Sequence, residues 1–378
     1  MTNIVIAAYM RTPFTLAHKG ELKKVRADDM AGQLIKALVK QTKIKPELIE
    51  DLILGCAFPE GEQGFNMARL VCFLAELPQS VAGCTINRFC GSSMQSIHNA
   101  AGMIQMGAGE AYICAGVENM TRVPMSGFNP LPNPDLYARM PEAYIGMGET
   151  AENVAKKYKI SREEQDAFAL LSQQKASKAQ KDGKFKDEIV PIKHGSQTIT
   201  EDGCIRAATT SEGLAGLKPA FLETGSVTAG SASPLTDGAA AVLVCSEEFA
   251  KKHKLKPLAR IKSIAVSGCA PEIMGIGPVG ASKKALERAG ITAADLDVIE
   301  LNEAFSSQSL AVIRDLGLDI NKINIDGGAI ALGHPLGATG ARITGKAAQL
   351  LVREKGKYAL ATQCIGGGQG IATVLEAI

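Results

Sequence analysis

The stretch Ala111-Tyr112-Ile113-Cys114-Ala115-Gly116 is short, apolar and ends at glycine, as a buried strand does. Working outward, residues 4–9 form another short apolar run, and residues 51–55 a third. Residues 27–40 differ in period, with Met30, Leu34, Ile35 and Leu38 at helical spacing. Strand-like and helix-like segments that alternate in this way predict an α/β fold with a mainly parallel sheet. The style returns after Asp237. Strands are predicted at 239–245, 259–266, 296–301, 358–363 and 371–375, and helices at 282–289, 304–316 and 340–354. Gly290 and Gly317 close the first two of those helices. The C-terminal part thus repeats the style of the N-terminal part, with no sequence identity visible by eye.

Residues from about 121 to 236 break the pattern, with many Pro, Met, Lys and Glu at irregular spacing. Ser161 and Glu164 are placed for a capping box at the start of one helix there. Lys175, Lys178, Lys181, Lys184 and Lys186 follow, and the ordinary reading of such a run is a solvated helix face. The segment reads as an inserted, partly helical subdomain.

With 378 residues, the chain exceeds what one hydrophobic core supports, so two or three domains are expected. Hydrophobic residues make up 46% and charged residues 21%, a globular balance. A net charge of +2, 4% aromatics and no Trp give no case for nucleic acid or an anionic membrane surface. No apolar stretch is long enough to span a bilayer, and no secretory signal is visible. Nine cysteines without a C-x-x-C pair argue against a disulfide framework or a zinc site and for a reducing compartment. Cys56, Cys72, Cys84, Cys114, Cys204, Cys245 and Cys269 read as small buried hydrophobes.

Two cysteines have other settings. Cys90 lies in Asn87-Arg-Phe-Cys-Gly-Ser-Ser-Met94, where a helical pattern begins and Met94, Ile97, Ala101 and Ile104 share a face. A thiol at a helix start can ionise, because free N–H groups and the helix dipole favour thiolate. Cys364 lies in Gln363-Cys-Ile-Gly-Gly-Gly-Gln-Gly370, where glycines leave bare backbone donors for an oxyanion. His334 is flanked by glycines and followed by Pro335, which fix a turn around an imidazole able to take a thiol proton. Asn302 opens Asn-Glu-Ala-Phe between a strand and a helix; it either caps that helix or holds a water or oxyanion. Gly340-Ala-Arg-Ile-Thr-Gly-Lys346 has Walker A spacing, but Ala347 brings no hydroxyl and the stretch reads as helix interior. The glycines at 366–370 lack the spacing of a dinucleotide fingerprint.

Segments 87–95, 302–308, 327–343 and 364–373 resemble the signature blocks of the thiolase family, and the resemblance covers nearly the whole chain. It implies a duplicated five-layer αβαβα core with an inserted loop domain. The division is 1–120 with 237–260 for one half, 121–236 for the insertion and 261–378 for the other half. It implies Cys90 as acylated nucleophile, His334 as its activator and Cys364 as acid/base. Asn302 and His334 would serve one oxyanion hole, the N–H groups of Cys90 and Gly366 the other. Ser233 and Phe305 resemble positions lining a pantetheine tunnel, and Met147 resembles a residue near the acyl pocket. Short-chain acetoacetyl-type members carry His-Met-Gly where this chain has Gly146-Met147-Gly148. Residues 63–69 and 268–275 are similar to the degradative 3-ketoacyl-CoA thiolases.

The resemblance therefore implies cleavage of 3-ketoacyl-CoA by coenzyme A in fatty acid β-oxidation, with coenzyme A as co-substrate, no permanent cofactor and no metal. Biosynthetic condensation of acetyl-CoA is the alternative within the class, and a non-catalytic acyl-CoA or lipid binder the alternative outside it. A cytoplasmic homodimer or homotetramer is implied, and the degradative type implies a hydratase/dehydrogenase as a candidate partner.

Overall fold

The structure, a computed structural model, describes residues 2–378. Its strands are β1 (Ile4–Arg11), β2 (Thr15–Leu16), β3 (Asp51–Gly55), β4 (Ala82–Ile86), β5 (Ala111–Asn119), β6 (Ile192–His194), β7 (Gln197–Ile199), β8 (Thr236–Ser246), β9 (Ala259–Gly268), β10 (Val298–Leu301), β11 (Tyr358–Ile365) and β12 (Gln369–Glu376). Its α-helices are α1 (Ala27–Thr42), α2 (Met67–Leu74), α3 (Ser92–Gln105), α4 (Pro134–Arg139), α5 (Met147–Tyr158), α6 (Arg162–Lys181), α7 (Ser211–Ala215), α8 (Glu247–Lys252), α9 (Gly277–Ala289), α10 (Ser306–Leu316), α11 (Ala329–Leu332) and α12 (Leu336–Glu354).

The main sheet runs β10-β11-β12-β9-β1-β8-β5-β3-β4. Its two halves meet at a short seam, Val5 opposite Arg260 and Ile6 opposite Ala259. From that seam outward the two halves pair identically. β1–β8 and β8–β5 are antiparallel, and β5–β3 and β3–β4 are parallel. On the other side β9–β12 and β12–β11 are antiparallel and β11–β10 is parallel. A parallel bridge from Ile299 to Ile323 stands where β3–β4 stands. The duplication hinted at by style is thus a duplication of topology.

The expected mainly parallel sheet is corrected to a mixed one. Parallel neighbours here are joined through helices, as parallel pairing requires. The antiparallel pair β11–β12 is instead closed by three glycines, of which Gly367 (φ 77°) and Gly368 (φ 81°) occupy the left-handed region that favours glycine.

Alternation along the strands places the layers. In β5, Ile113 and Ala115 face α1 and α2, alongside Leu34, Ile35 and Val71. Tyr112 and Cys114 face the other way, into a layer formed by Met94 and Ile97 of α3 and Ile343 and Leu350 of α12. The far side of that layer is Ala361 and Ile371 of the second half's strands. Ala281 and Leu286 of α9 and Val312 of α10 cover the outer face of that second half. The order is helix, sheet, helix, sheet, helix. Both faces of β5 meet apolar helices, which is why its sequence has no polar alternation.

Several boundaries move. α9 starts at Gly277 rather than 282, with Pro278 in its first turn. α12 starts directly after Pro335 rather than at 340. α10 starts at Ser306, because Phe305 is still extended and bridged to Ala232. Residues 120–235 hold α4 to α7 and the β6–β7 hairpin, and the Ser161–Glu164 capping box is formed. Lys178, Lys181, Lys184 and Lys186 are exposed, whereas Lys175 is half-buried and donates to the Ile323 carbonyl at 2.7 Å. The cysteine reading holds for five residues and fails for two: Cys84 is exposed on the edge strand β4, and Cys269 is half-buried. Lys346, the lysine of the Walker-like stretch, is buried in α12 and paired with Glu188 and Asp326 at 2.8 Å each.

Candidate active site

Cys90 sits two residues before α3, in a turn held by its neighbours. The Phe89 N–H donates to Asn87 Oδ1 at 2.7 Å, and the Arg88 N–H donates to Ser92 Oγ at 2.9 Å. Ser92 Oγ donates back to the Phe89 carbonyl at 2.6 Å. Phe89 is thereby held at φ 43°, a conformation that a non-glycine residue adopts only when its surroundings force it. Gln363 Nε2, from β11, donates to the Cys90 carbonyl.

Cys364 is the last residue but one of β11, buried like Ile365 after it, and the tight turn that follows brings Gly366 near Cys90. The Gly366 N–H and the N–H of Cys90 itself lie where they favour a charged Cys90 sulfur. Burial nevertheless dominates and pushes the Cys90 thiol up to about 11. Cys90 therefore rests as a neutral thiol, and the start of α3, two residues further on, does not outweigh its desolvation. Cys364 is buried and its thiol is pushed well up, first by burial and then by the neighbouring Cys90.

His334 lies in the turn between α11 and α12. Its N–H donates to Thr236 Oγ1 at 3.0 Å. Gly333 before it has φ 100°, and a Cβ there would stand 2.6 Å from Thr236 Cγ2, so only glycine fits. The ring Nδ1 is 2.6 Å from Thr339 Oγ1, which donates its own hydrogen to the Pro335 carbonyl at 3.0 Å. Nδ1 then carries the ring proton, and Nε2 is the free base. Asn302 Nδ2 lies 3.3 Å from that Nε2. Burial first, and the charge of Arg342 second, pull His334 down to about 3, so the imidazole is neutral.

Asn302 is not a helix cap; α10 begins four residues later with Phe305 as its N-cap. Its N–H donates to the Thr362 carbonyl of β11 at 3.0 Å, which places it two residues from Cys364 along that strand. Its Oδ1 is buried without a protein partner. An acceptor so placed beside Nε2 is suited to hold a water, whose other hydrogen can then serve a substrate oxygen.

Phe305 and Cys364 share one apolar cluster with Ala232, Met274 and Ala304, and Met147 lies at its edge. The Ser233 N–H donates to the Ala304 carbonyl at 2.9 Å, so the 231–233 loop runs beside the Asn302 segment. Every predicted site residue thus falls in one region, where Cys90, Cys364 and Gly366 meet on one side and His334 and Asn302 on the other. Leu336, two residues beyond His334, packs in the cluster that Cys90 touches.

Sequence reasoning missed Met274, although the stretch containing it had been singled out. It also missed Thr339, which sits five residues after His334 in the same glycine-rich block. Phe221 packs edge-on against Phe305 at 5.8 Å between centroids and gave no local signal at all.

A family model described as the thiolase N-terminal domain matches residues 4–248, and one described as the thiolase C-terminal domain matches 255–377. The chain belongs to the thiolase family. It is 47% identical to the 3-ketoacyl-CoA thiolase of Bacillus subtilis (strain 168), with all of both chains covered. It is 49% identical to the 3-ketoacyl-CoA thiolase of Aliivibrio fischeri, again over the whole of both. Human mitochondrial 3-ketoacyl-CoA thiolase superposes with a TM-score of 0.92 at 43% identity, covering 100% of this chain and 99% of that one. The Bacillus anthracis acetyl-CoA acetyltransferase superposes with a TM-score of 0.92 at 41% identity, over the same shares.

Proposed function

We propose that this chain is a 3-ketoacyl-CoA thiolase, an acyltransferase that cleaves 3-ketoacyl-CoA with coenzyme A to acetyl-CoA and a shortened acyl-CoA, as in fatty acid β-oxidation. The observation that carries it is a half-buried thiol, Cys90, that shares its surroundings with the buried thiol Cys364 and the Gly366 N–H. The full-length likeness to 3-ketoacyl-CoA thiolases supports the same substrate class. Human mitochondrial 3-ketoacyl-CoA thiolase has been solved in complex with CoA, which supports coenzyme A as co-substrate here.

Both members of the Cys90–His334 pair rest neutral. Proton transfer therefore accompanies attack: Cys90 sulfur bonds to the 3-keto carbon as His334 Nε2 takes its proton. The Cα–Cβ bond then breaks and its electron pair leaves as the acetyl-CoA enolate. His334 and a water held by Asn302 stabilise that anion, a donor arrangement typically worth ~2.7–4 kcal/mol each. The Cys364 proton passes to the enolate carbon, and Cys364 then takes the thiol proton of incoming coenzyme A. That thiolate attacks the acyl-Cys90 carbonyl, whose oxyanion rests on the N–H groups of Cys90 and Gly366. Collapse releases acyl-CoA and returns the proton to Cys90. Ser233, Phe305 and Met147 line the approach of the thioester arm.

The same reading divides the chain into 1–120 with 237–260, an insertion at 121–236 and a second half at 261–378. It places the enzyme in a reducing cytoplasm, consistent with nine free cysteines. No helix among the described residues is long and apolar enough to cross a membrane. A homodimer is proposed through the edge strand β4, beside which Phe65, Leu70, Phe73 and Leu74 are exposed.

The test is loss of 3-ketoacyl-CoA enolate absorbance on adding coenzyme A, with C4 and C8 substrates. The proposal requires C8 turnover at least comparable to C4. Turnover confined to C4 would favour the acetoacetyl type, and none with either would favour a binding protein.

A further inference from the structure

Glu118, near the end of β5, is a buried carboxylate whose hydrogen-bond donors are all neutral. Its Oε2 accepts from the Ala57 N–H and the Gly337 N–H, both at 2.8 Å. Its Oε1 accepts from the Phe58 N–H at 3.2 Å, Gln63 Nε2 at 3.1 Å and the Cys56 thiol at 3.6 Å. Burying a carboxylate is unfavourable by several kcal/mol, and donors of this number are what make it tolerable. Burial raises the Glu118 carboxyl, and those N–H groups draw it back.

The donors belong to two different parts of the site. Gly337 is in the first turn of α12, three residues after His334 and two before Thr339. The fit there is tight: a Cβ on Gly337 would lie 2.7 Å from the Val117 carbonyl oxygen and 2.8 Å from that of Gly55. On the other side, the Ala57 carbonyl accepts from Asn87 Nδ2 at 3.0 Å, and Asn87 Oδ1 holds the Phe89 N–H. The Phe58 ring packs on Phe89 at 5.8 Å. One side chain from the first half therefore grips the backbone that carries His334 and the wall behind the Cys90 turn.

We propose that Glu118 is a positioning residue that sets Cys90 against His334 across the junction of the two halves, acting through the Gly337 and Ala57 N–H groups. This rests on reading Cys90 as nucleophile and His334 as its base. Glutamine has the same shape but turns one acceptor into a donor that faces N–H groups. Glu118 also acts on Cys90 as a negative charge; the other titratable or charged groups at that junction are the Cys56 thiol after β3, Cys364 from β11, neutral His334 from the segment before α12 and Arg342 of α12.

The experiment uses full-length Glu118→Gln and Glu118→Asp, with acetoacetyl-CoA, 3-ketooctanoyl-CoA and coenzyme A as substrates and iodoacetamide as the Cys90 probe. Displacement of a catalytic pair by about 1 Å is worth roughly 100-fold, so Glu118→Gln should lower kcat roughly 10- to 100-fold with KM within about twofold. Its alkylation profile should move to lower pH, because a negative charge near the thiol is gone. Glu118→Asp keeps the charge and loses reach, so its alkylation profile should match wild type while kcat stays low. Wild-type kcat in Glu118→Gln, or a loss of kcat that merely follows thermal instability with the alkylation profile unmoved, overturns the proposal. Should Glu118→Gln fail to fold, Gln63→Leu removes one donor to Glu118, together with the Gln63 bonds to the Phe58 carbonyl and the Asn119 N–H; about a threefold or larger fall in kcat at constant KM with a wild-type melting temperature supports the proposal, and an unchanged kcat overturns it. Cys90→Ala, run alongside, separates the two claims. Activity there overturns the nucleophile reading, whereas an inactive Cys90→Ala with a wild-type Glu118→Gln overturns only the role of Glu118.

Discussion

In the first half, β4 leads through residues 87–91 into α3; in the second, the chain after Ile323 leads through residues 333–335 into α12. These are equivalent places in two repeats with the same strand pairing, and α3 and α12 pack on each other in the central layer. One place carries Cys90 and the other His334. The halves differ most after β5 and β11. Between β5 and β8 the first half inserts residues 120–235, whereas β11 reaches β12 through Gly366, Gly367 and Gly368. The short connection brings the Gly366 N–H onto the thiol of the other half, and the long one supplies Met147 and Ser233. A repeated scaffold thus made two helix-start positions face each other, and unequal connections gave them different chemistry.

The largest effect tests the first half. Cys90→Ala should lower thiolysis by roughly 10⁴-fold or more and abolish burst acylation, measured with acetoacetyl-CoA in rapid mixing. Appreciable thiolysis by that variant would refute the nucleophile assignment. Cys364→Ser tests the second half: exchange of acetyl-CoA α-protons should slow on the order of 10²- to 10⁴-fold, while alkylation of Cys90 changes far less. Equal loss of both would make Cys364 structural and remove the division of labour between halves. Asn302→Ala should lower kcat by about 10²- to 10³-fold with little change in KM, read from steady-state kinetics. A rise in KM at constant kcat would mean that Asn302 only binds the ground state.

The smallest effect concerns stability. His98 on α3 is buried against Thr373 Oγ1 at 2.9 Å, and burial pulls it down to about 3. A folded value below the unfolded one means the unfolded chain binds more protons between those two values. The stability linked to neutral His98 is therefore complete above about pH 6.5 and is lost as pH falls toward the folded value. Each such histidine adds a slope of up to about 1.4 kcal/mol per pH unit in that window. His98→Gln should lose less stability than wild type between pH 7 and pH 4, by chemical denaturation at each pH. The same slope in both proteins would show that His98 is not held neutral.

Much of the fold was legible because strand burial on two faces and helix burial on one leave different periods. The apolar run at 111–116 and the helical spacing at 27–40 told their elements apart before any contact was known. Helix starts were less legible, since Phe305 stays extended only because Ala232 pairs with it from far away in the chain. Strand direction was illegible for the same reason: β1 meets β8 across the whole of the intervening 12–235 chain. In the site, Cys90, His334 and Cys364 stood out by glycine-rich settings, and Asn302 by its place between strand and helix. Phe221 and Glu118 had no such setting, as their importance comes from what lies opposite them.

The sequence by itself determined most of the elements and the side chains able to bear chemistry, because periodicity, glycine placement and residue type are local properties of the chain. Only the tertiary structure decided the mixed direction of the sheet and the equivalence of the two repeats. It also decided the protonation of the proposed catalytic groups, since desolvation outweighs the helix start at Cys90 and the usual basicity of His334. Burial is set by what the rest of the molecule packs around a group, and that is not written next to it in the chain.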